Sequence, residues 1–211
     1  MDRLLLIDND ALLKLARYGL LNEAVALFGC TITDVRVLAT AKYVLLPSKN
    51  PLLFCEDEES YSRLESFLKV AKPLDTSLAD PEFLDAMSAV QNIDTGEALL
   101  LAVGATASST LVITGDKRSL AALCSHGSVA HLANALAGRV VPMEVLFSYL
   151  VKDQFTYIQK CVRSKSDVDK ALNIAFGVSV PATYKSVQEA LASYINHLRA
   201  VTGNLLYRAS S

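Results

Sequence analysis

Leu4-Leu5-Leu6-Ile7-Asp8-Asn9-Asp10-Ala11-Leu12-Leu13-Lys14-Leu15-Ala16 is the stretch that decides how this chain is read. Four consecutive apolar residues suit a short strand buried on both faces rather than one with a wet side. The run stops at a carboxylate, Asp8. Leu12, Leu15 and Ala16 then recur at helical spacing, and Gly19 can end that helix. The same order returns downstream. Thr110–Thr114 carries Leu111, Val112 and Ile113 in a row, Gly115-Asp116 follows, and a helix is expected from Lys117 to Cys124. Arg139–Val141 reads as a last strand, and Pro142 starts a helix through Leu150. Cys30–Ile32 is the expected second strand, with Thr33 or Asp34 capping a helix through Val37, Leu38, Ala41 and Val44–Leu45. Helices are also expected over Leu20–Phe28, Asp57–Ala71, from Asp80-Pro81 to about Val90, and Ala98–Ala107. Short apolar strands alternating with helices predict an α/β fold, a parallel sheet with helices on both faces.

The β-α-β pattern is expected to end near residue 150, which divides the chain into residues 1–150 and a helical C-terminal extension, 151–211. In the extension Ser166-x-x-Asp169 resembles a capping box for a helix over Val168–Phe176. Thr183–Val201 carries an apolar stripe of Val187, Ala190, Leu191, Tyr194, Ile195 and Leu198. Residues 151–211 hold eight Lys/Arg against four Asp/Glu, a net +4, which leaves −6 for residues 1–150.

The chain has 211 residues, 52% hydrophobic and 20% charged, with nine Gly and six Pro, which excludes disordered and collagen-like classes. A net charge of −2 argues against a basic nucleic-acid coat protein. Cys30, Cys55, Cys124 and Cys161 are too far apart for a C-x-x-C pair or a zinc pattern, and are expected as reduced, buried thiols. Leu4–Ile7 is too short for the core of a secretion signal, and the charge-free windows Ala98–Gly115 and Ser119–Gly138 are broken by polar and turn residues. No membrane span and a cytoplasmic location are therefore expected.

Ligands of open parallel sheets bind outside the carboxyl ends of the strands. Asp8 ends the first strand, Asp116 lies just past Thr114, and Glu97 opens the helix before that strand. β-α-β winding can bring the three to one edge, where like charges repel unless a cation is present. Oxygen donors without a Cys or His set select Mg²⁺ or Mn²⁺ over zinc. His126 and His131 are five apart and share no helix face; with His197 they are expected as structural or surface residues. Each acid also has a plain role. Asp8 and Asp116 can cap the helices that follow them, Glu97 can complement a helix dipole, Asp94 reads as an N-cap, and Asp10 as a cap or a ligand. Lys117 and Arg118 are placed to hold a substrate phosphate. Lys160, Arg163, Lys165 and Lys170 can contact phosphates through salt-dependent charge, but read first as ordinary exposed charges on helices.

Three segments together resemble the PIN domain: Ile7-Asp8-Asn9-Asp10 with Ala11–Ala16; Asp94-Thr95-Gly96-Glu97-Ala98; and Leu111-Val112-Ile113-Thr114-Gly115-Asp116-Lys117-Arg118. Gly138-Arg139-Val140-Val141-Pro142 is similar to the usual end of that family's sheet. The resemblance covers residues 3–150. It implies a three-layer αβα sandwich and a Mg²⁺- or Mn²⁺-dependent ribonuclease acting on RNA. The family includes toxin halves of toxin–antitoxin modules, hence a protein inhibitor as a partner; separately, the apolar stripe on Thr183–Val201 can pack on the core, cover a partner or form a homodimer. The resemblance further implies that Asp8, Glu97 and Asp116 are the catalytic, metal-binding acids, that Thr114 shapes the site, and that Asp94 assists through water. The chain departs from the family in Asp34–Lys42, where many members carry an acid in mid-helix and this chain has only Asp34 at the start; Ser119-Leu120 follows Asp116 where polar or acidic residues are common. A site that holds one ion weakly, or is inactive, follows from that departure. Two rival readings are a non-catalytic PIN-like module that binds RNA or protein, and a haloacid-dehalogenase-type phosphatase using Asp8-Asn9-Asp10, which has Leu12 where that family has Thr or Val.

Overall fold

A computed structural model describes residues 3–209. Five strands, β1 (Leu4–Ile7), β2 (Val35–Val37), β3 (Lys72–Pro73), β4 (Thr110–Thr114) and β5 (Val140–Pro142), form one all-parallel sheet in the order β3-β2-β1-β4-β5. The helices are α1 (Asn9–Tyr18), α2 (Leu21–Ala26), α3 (Ala41–Leu45), α4 (Glu58–Val70), α5 (Pro81–Ser88), α6 (Thr95–Thr106), α7 (Lys117–Ser125), α8 (Ala130–Ala135), α9 (Met143–Ser164), α10 (Lys170–Phe176) and α11 (Tyr184–Thr202). Sheet and helices make a three-layer α/β sandwich. Leu5, Leu6 and Ile7 of β1 and Ile113 of β4 have no exposed surface, as strands covered on both faces must. The winding runs one way from β1 to β3 and the other way through β4 and β5, so the sheet changes direction between β1 and β4.

The second strand lies later than its apolar run suggests. Cys30–Ile32 is not a strand; β2 is Val35–Val37, and the expected helix through Val37 and Leu38 shrinks to α3. Asp34 does not cap α3; it closes the capping box of a single 3-10 turn, Ile32–Asp34. Its carboxylate accepts from the backbone and hydroxyl of Thr31 at 2.7 and 2.8 Å, at the amino end of β2, the opposite edge of the sheet from the strand ends that carry Asp8 and Asp116. Leu20–Phe28 shortens to α2. Ser166 is not the cap expected for α10; Asp169 is, accepting from the amides of Ala171 and Leu172.

The boundary expected at residue 150 falls inside α9, whose one non-helical residue is Gln154. The buried apolar cluster runs through both sides of that boundary. The loop after α9 is held to the body by three ion pairs: Lys165 to Asp57 at 2.7 Å, Asp167 to Arg17, and Asp169 to Lys14 at 3.0 Å. Past α11 the chain lies beside β5, where the Tyr207 amide donates to the Val140 carbonyl at 2.7 Å and so covers that edge. Cys55 is buried; Cys30, Cys124 and Cys161 are half-buried rather than buried as expected, and all four are free. Among the described residues no helix is long and apolar enough to cross a membrane.

Candidate functional site

Asp8 is buried directly after β1 and caps α1, its Oδ1 accepting from the Ala11 amide at 2.6 Å. The β1–β4 register places Ile7 beside Ile113, so Asp8 meets the end of β4. There its Oδ2 accepts from the Thr114 hydroxyl and from the Gly115 amide at 3.0 Å. The same Thr114 oxygen accepts from the Asp116 amide at 3.1 Å, so Thr114 ties the two aspartates together. Asp116 caps α7: Oδ1 accepts from the amides of Arg118 and Ser119, and Oδ2 from the Arg118 guanidinium at 3.3 Å. Glu97 lies in the first turn of α6 in a reciprocal capping box. Its Oε2 accepts from the Asp94 amide at 3.0 Å, and Asp94 Oδ1 accepts from the Glu97 amide at 2.8 Å. The plain capping roles of all four acids are therefore real, and all four also line one cleft of about 710 Å³ at the β1/β4 reversal point.

Lys14, Lys117, Arg118, Asp10, Leu38 and Val44 complete the walls. Two glycines shape them. A Cβ at Gly96 would come within 2.6 Å of Leu38, and one at Gly115 would fall on the Asp10 carboxylate. The helix after β2, α3, holds no Asp or Glu, and it turns Val44 toward the cleft. Asp10 lines the cleft without capping a helix; its Oδ2 pairs with Lys14 Nζ at 2.8 Å, and Lys14 also reaches Asp169. Lys117 Nζ donates to Glu144 Oε1 at 2.5 Å. Glu144, in the first turn of α9, is 3% exposed and its second oxygen has no partner among the described residues. The sequence reading singled out neither Lys14 nor Glu144; the Asp10/Lys14 spacing of four was the visible signal for the first.

Burial lifts the Asp8 carboxyl to about 6, opposed by the donors at Thr114, Ala11 and Gly115 and helped by Asp10. Burial also lifts Glu97 to about 7, with the charges of Asp94, Asp116 and Asp8 acting the same way. Burial would raise Asp116 too, but the amides of Arg118 and Ser119 and the guanidinium outweigh it and hold it below its usual value. Among the described residues no group of three His, Cys, Asp or Glu side chains is arranged to hold an ion. The hydrogen bonds give the reason: Glu97 is drawn back to Asp94, and the oxygens of Asp8 and Asp116 are turned to backbone amides. The donor chemistry, oxygens only, fits a hard divalent cation.

These shifts fix a pH dependence. Asp8 and Glu97 are raised on folding, so the native state holds extra protons, and stability is lost as pH rises from 3.8 to about 6 for Asp8 and from 4.5 to about 7 for Glu97. Asp116 and Asp169 are lowered, so their contribution is lost as pH falls below 3.8. Thermal melts are expected to show a higher Tm at pH 5 than at pH 8, with the difference reduced in Glu97→Gln. A Tm that climbs steadily to pH 8 would contradict this electrostatic picture.

No family model, curated protein or solved structure matches the chain.

Proposed function

We propose that the protein is a PIN-like, divalent-metal-dependent ribonuclease of the cytoplasm. One observation carries this reading: carboxylates from three distant segments, Asp8, Glu97 and Asp116, line one cleft where the parallel sheet reverses its winding. Asp8, Glu97 and Asp116 would hold Mg²⁺ or Mn²⁺, with Asp94 assisting through water. An ion bound there supplies an activated water and neutralises charge on a phosphate oxygen. The chain contributes the rest. Thr114 and the Gly115 amide fix the direction of Asp8. Glu97, lifted to about 7, exchanges its proton readily near neutrality, while its Oε2 is held by the Asp94 amide. Arg118, free to swing from its 3.3 Å contact with Asp116, and Lys117 hold the phosphate.

Purified protein incubated with a mixed RNA pool is expected to cleave it with Mn²⁺ and not with chelator. Asp8→Asn should lower the rate at least ~100-fold, the scale set by removing one preorganised electrostatic group. Cleavage that survives chelator or Asp8→Asn would refute the reading. A second reading, a non-catalytic PIN-like module that binds RNA or protein, is favoured by the apolar Leu38 and Val44 on the wall beside β2 and by the open arrangement of the acids. RNA binding without cleavage is its signature in the same experiment.

A further inference from the structure

A second groove, about 690 Å³ in volume, shares one lining residue, Arg118, with the acidic cleft. Its walls grow out of the two segments that carry the cleft acids. One wall is the turn between α5 and α6, where exposed Gln91 and Asn92 stand just ahead of Asp94. Asn92 has φ 71°, the left-handed conformation that Asn adopts more readily than most residues. The other wall is the outer face of α7, from Arg118 past Ala121 to Ser125 and His126. The two compartments differ in charge. Asp8, Asp10, Asp94, Glu97 and Asp116 line the cleft, whereas the described residues of the groove include no carboxylate, and Arg118 is their formal cation.

We propose that this groove is a second binding site, for the part of a single-stranded RNA that lies beyond the phosphate in the acidic cleft. The inference rests on the ribonuclease reading and adds the path of the strand. A polyanion cannot lie along carboxylates for more than the one phosphate a cation would screen, so its neighbours need a cation and hydrogen-bonding groups. Arg118, 85% exposed in its side chain, stands at the junction of the two compartments. The amides of Gln91 and Asn92 and the hydroxyl of Ser125 match ribose hydroxyls and base edges, and Ala121 with Val201 offers an apolar surface for a ribose or base face. Both volumes fall in the range of roughly 300–1,000 Å³ typical of ligand sites.

Fluorescence anisotropy with a labelled single strand of about 12 nucleotides and with a trinucleotide tests this, since strand-tracking sites cover several nucleotides, ~4–16. Ca²⁺ replaces Mn²⁺ so that binding is read apart from cleavage. Arg118→Ala is expected to raise the Kd of the longer strand about tenfold and to flatten its salt dependence by about one phosphate. Gln91→Ala with Asn92→Gly is expected to raise it roughly three- to tenfold, the scale of lost neutral hydrogen bonds, with the salt slope unchanged. The trinucleotide, confined to the cleft, should show less than about a twofold change in the Gln91/Asn92 variant, well short of what one lost hydrogen bond costs. All three positions are exposed, and an unchanged Tm confirms the fold. A Gln91/Asn92 variant that binds the longer strand as tightly as the wild type, when the wild type cleaves RNA, overturns the groove alone; an Arg118→Ala variant that does so also removes Arg118 from the cleft phosphate. A wild type that neither binds nor cleaves RNA overturns the groove and the ribonuclease reading together.

Discussion

Lys117→Met is expected to destabilise the protein by about 2 kcal/mol, the scale of leaving a buried acceptor unpaired, since Glu144 is buried while the Lys117 side chain is 43% exposed. Glu144 is 3% exposed, its Oε2 has no partner among the described residues, and the Lys117 ammonium at 2.5 Å is the partner of its other oxygen. Removing that ammonium leaves a carboxyl group in the apolar first turn of α9 without compensation. For a chain of this length the Tm should fall by roughly 4–8 °C. Adding Glu144→Met to the same chain is expected to recover most of the loss, because two packed apolar side chains can replace a buried pair at little cost. A single variant that melts within about 2 °C of the wild type, a shift worth under 1 kcal/mol, would contradict the buried pairing.

Phe147→Ala is expected to cost about 3–5 kcal/mol, the range for deleting a fully buried aromatic ring. Phe147 is 0% exposed and meets Tyr18 edge-on at 5.7 Å and Phe176 at 6.1 Å. One ring thus joins α1, α9 and α10 across the boundary the sequence suggested at residue 150. Because the buried cluster is shared, denaturant unfolding of the variant is expected to stay a single transition with a lower midpoint. Two separated transitions would show instead that residues 151–211 fold on their own.

β1 and β4 were legible because a strand covered on both faces is written as an unbroken apolar run, and their ends pointed to Asp8, Thr114 and Asp116. β2 was not. Val35-Arg36-Val37 is three residues long, and Arg36, whose guanidinium turns back to the carbonyls of Thr33 and Val35, interrupts the apolar run that marked the other strands. The two residues of β3 carry no pattern at all. Capping residues marked α1, α4, α5, α6 and α7 well, since Asp8, Asp57, Asp80, Asp94 and Asp116 each accept an amide hydrogen bond at the expected helix start. Those same bonds explain why the site was only half readable. Spacing shows that acids can reach one edge; it does not show that local amides hold their oxygens apart. The Lys117–Glu144 and Lys14–Asp169 pairs join segments distant in the chain, which no local pattern encodes.

The most direct test of the account is a Mn²⁺ titration of thermal stability at pH 7.5, wild type beside Asp116→Asn. If Asp8, Glu97 and Asp116 act as one site, the wild type gains about 2.7 kcal/mol at an ion concentration of about 100 times Kd, because the ion binds only the folded state. Asp116→Asn should lose most of that gain. A wild-type Tm that does not move into the millimolar range, or a variant that gains as much as the wild type, would contradict the shared site.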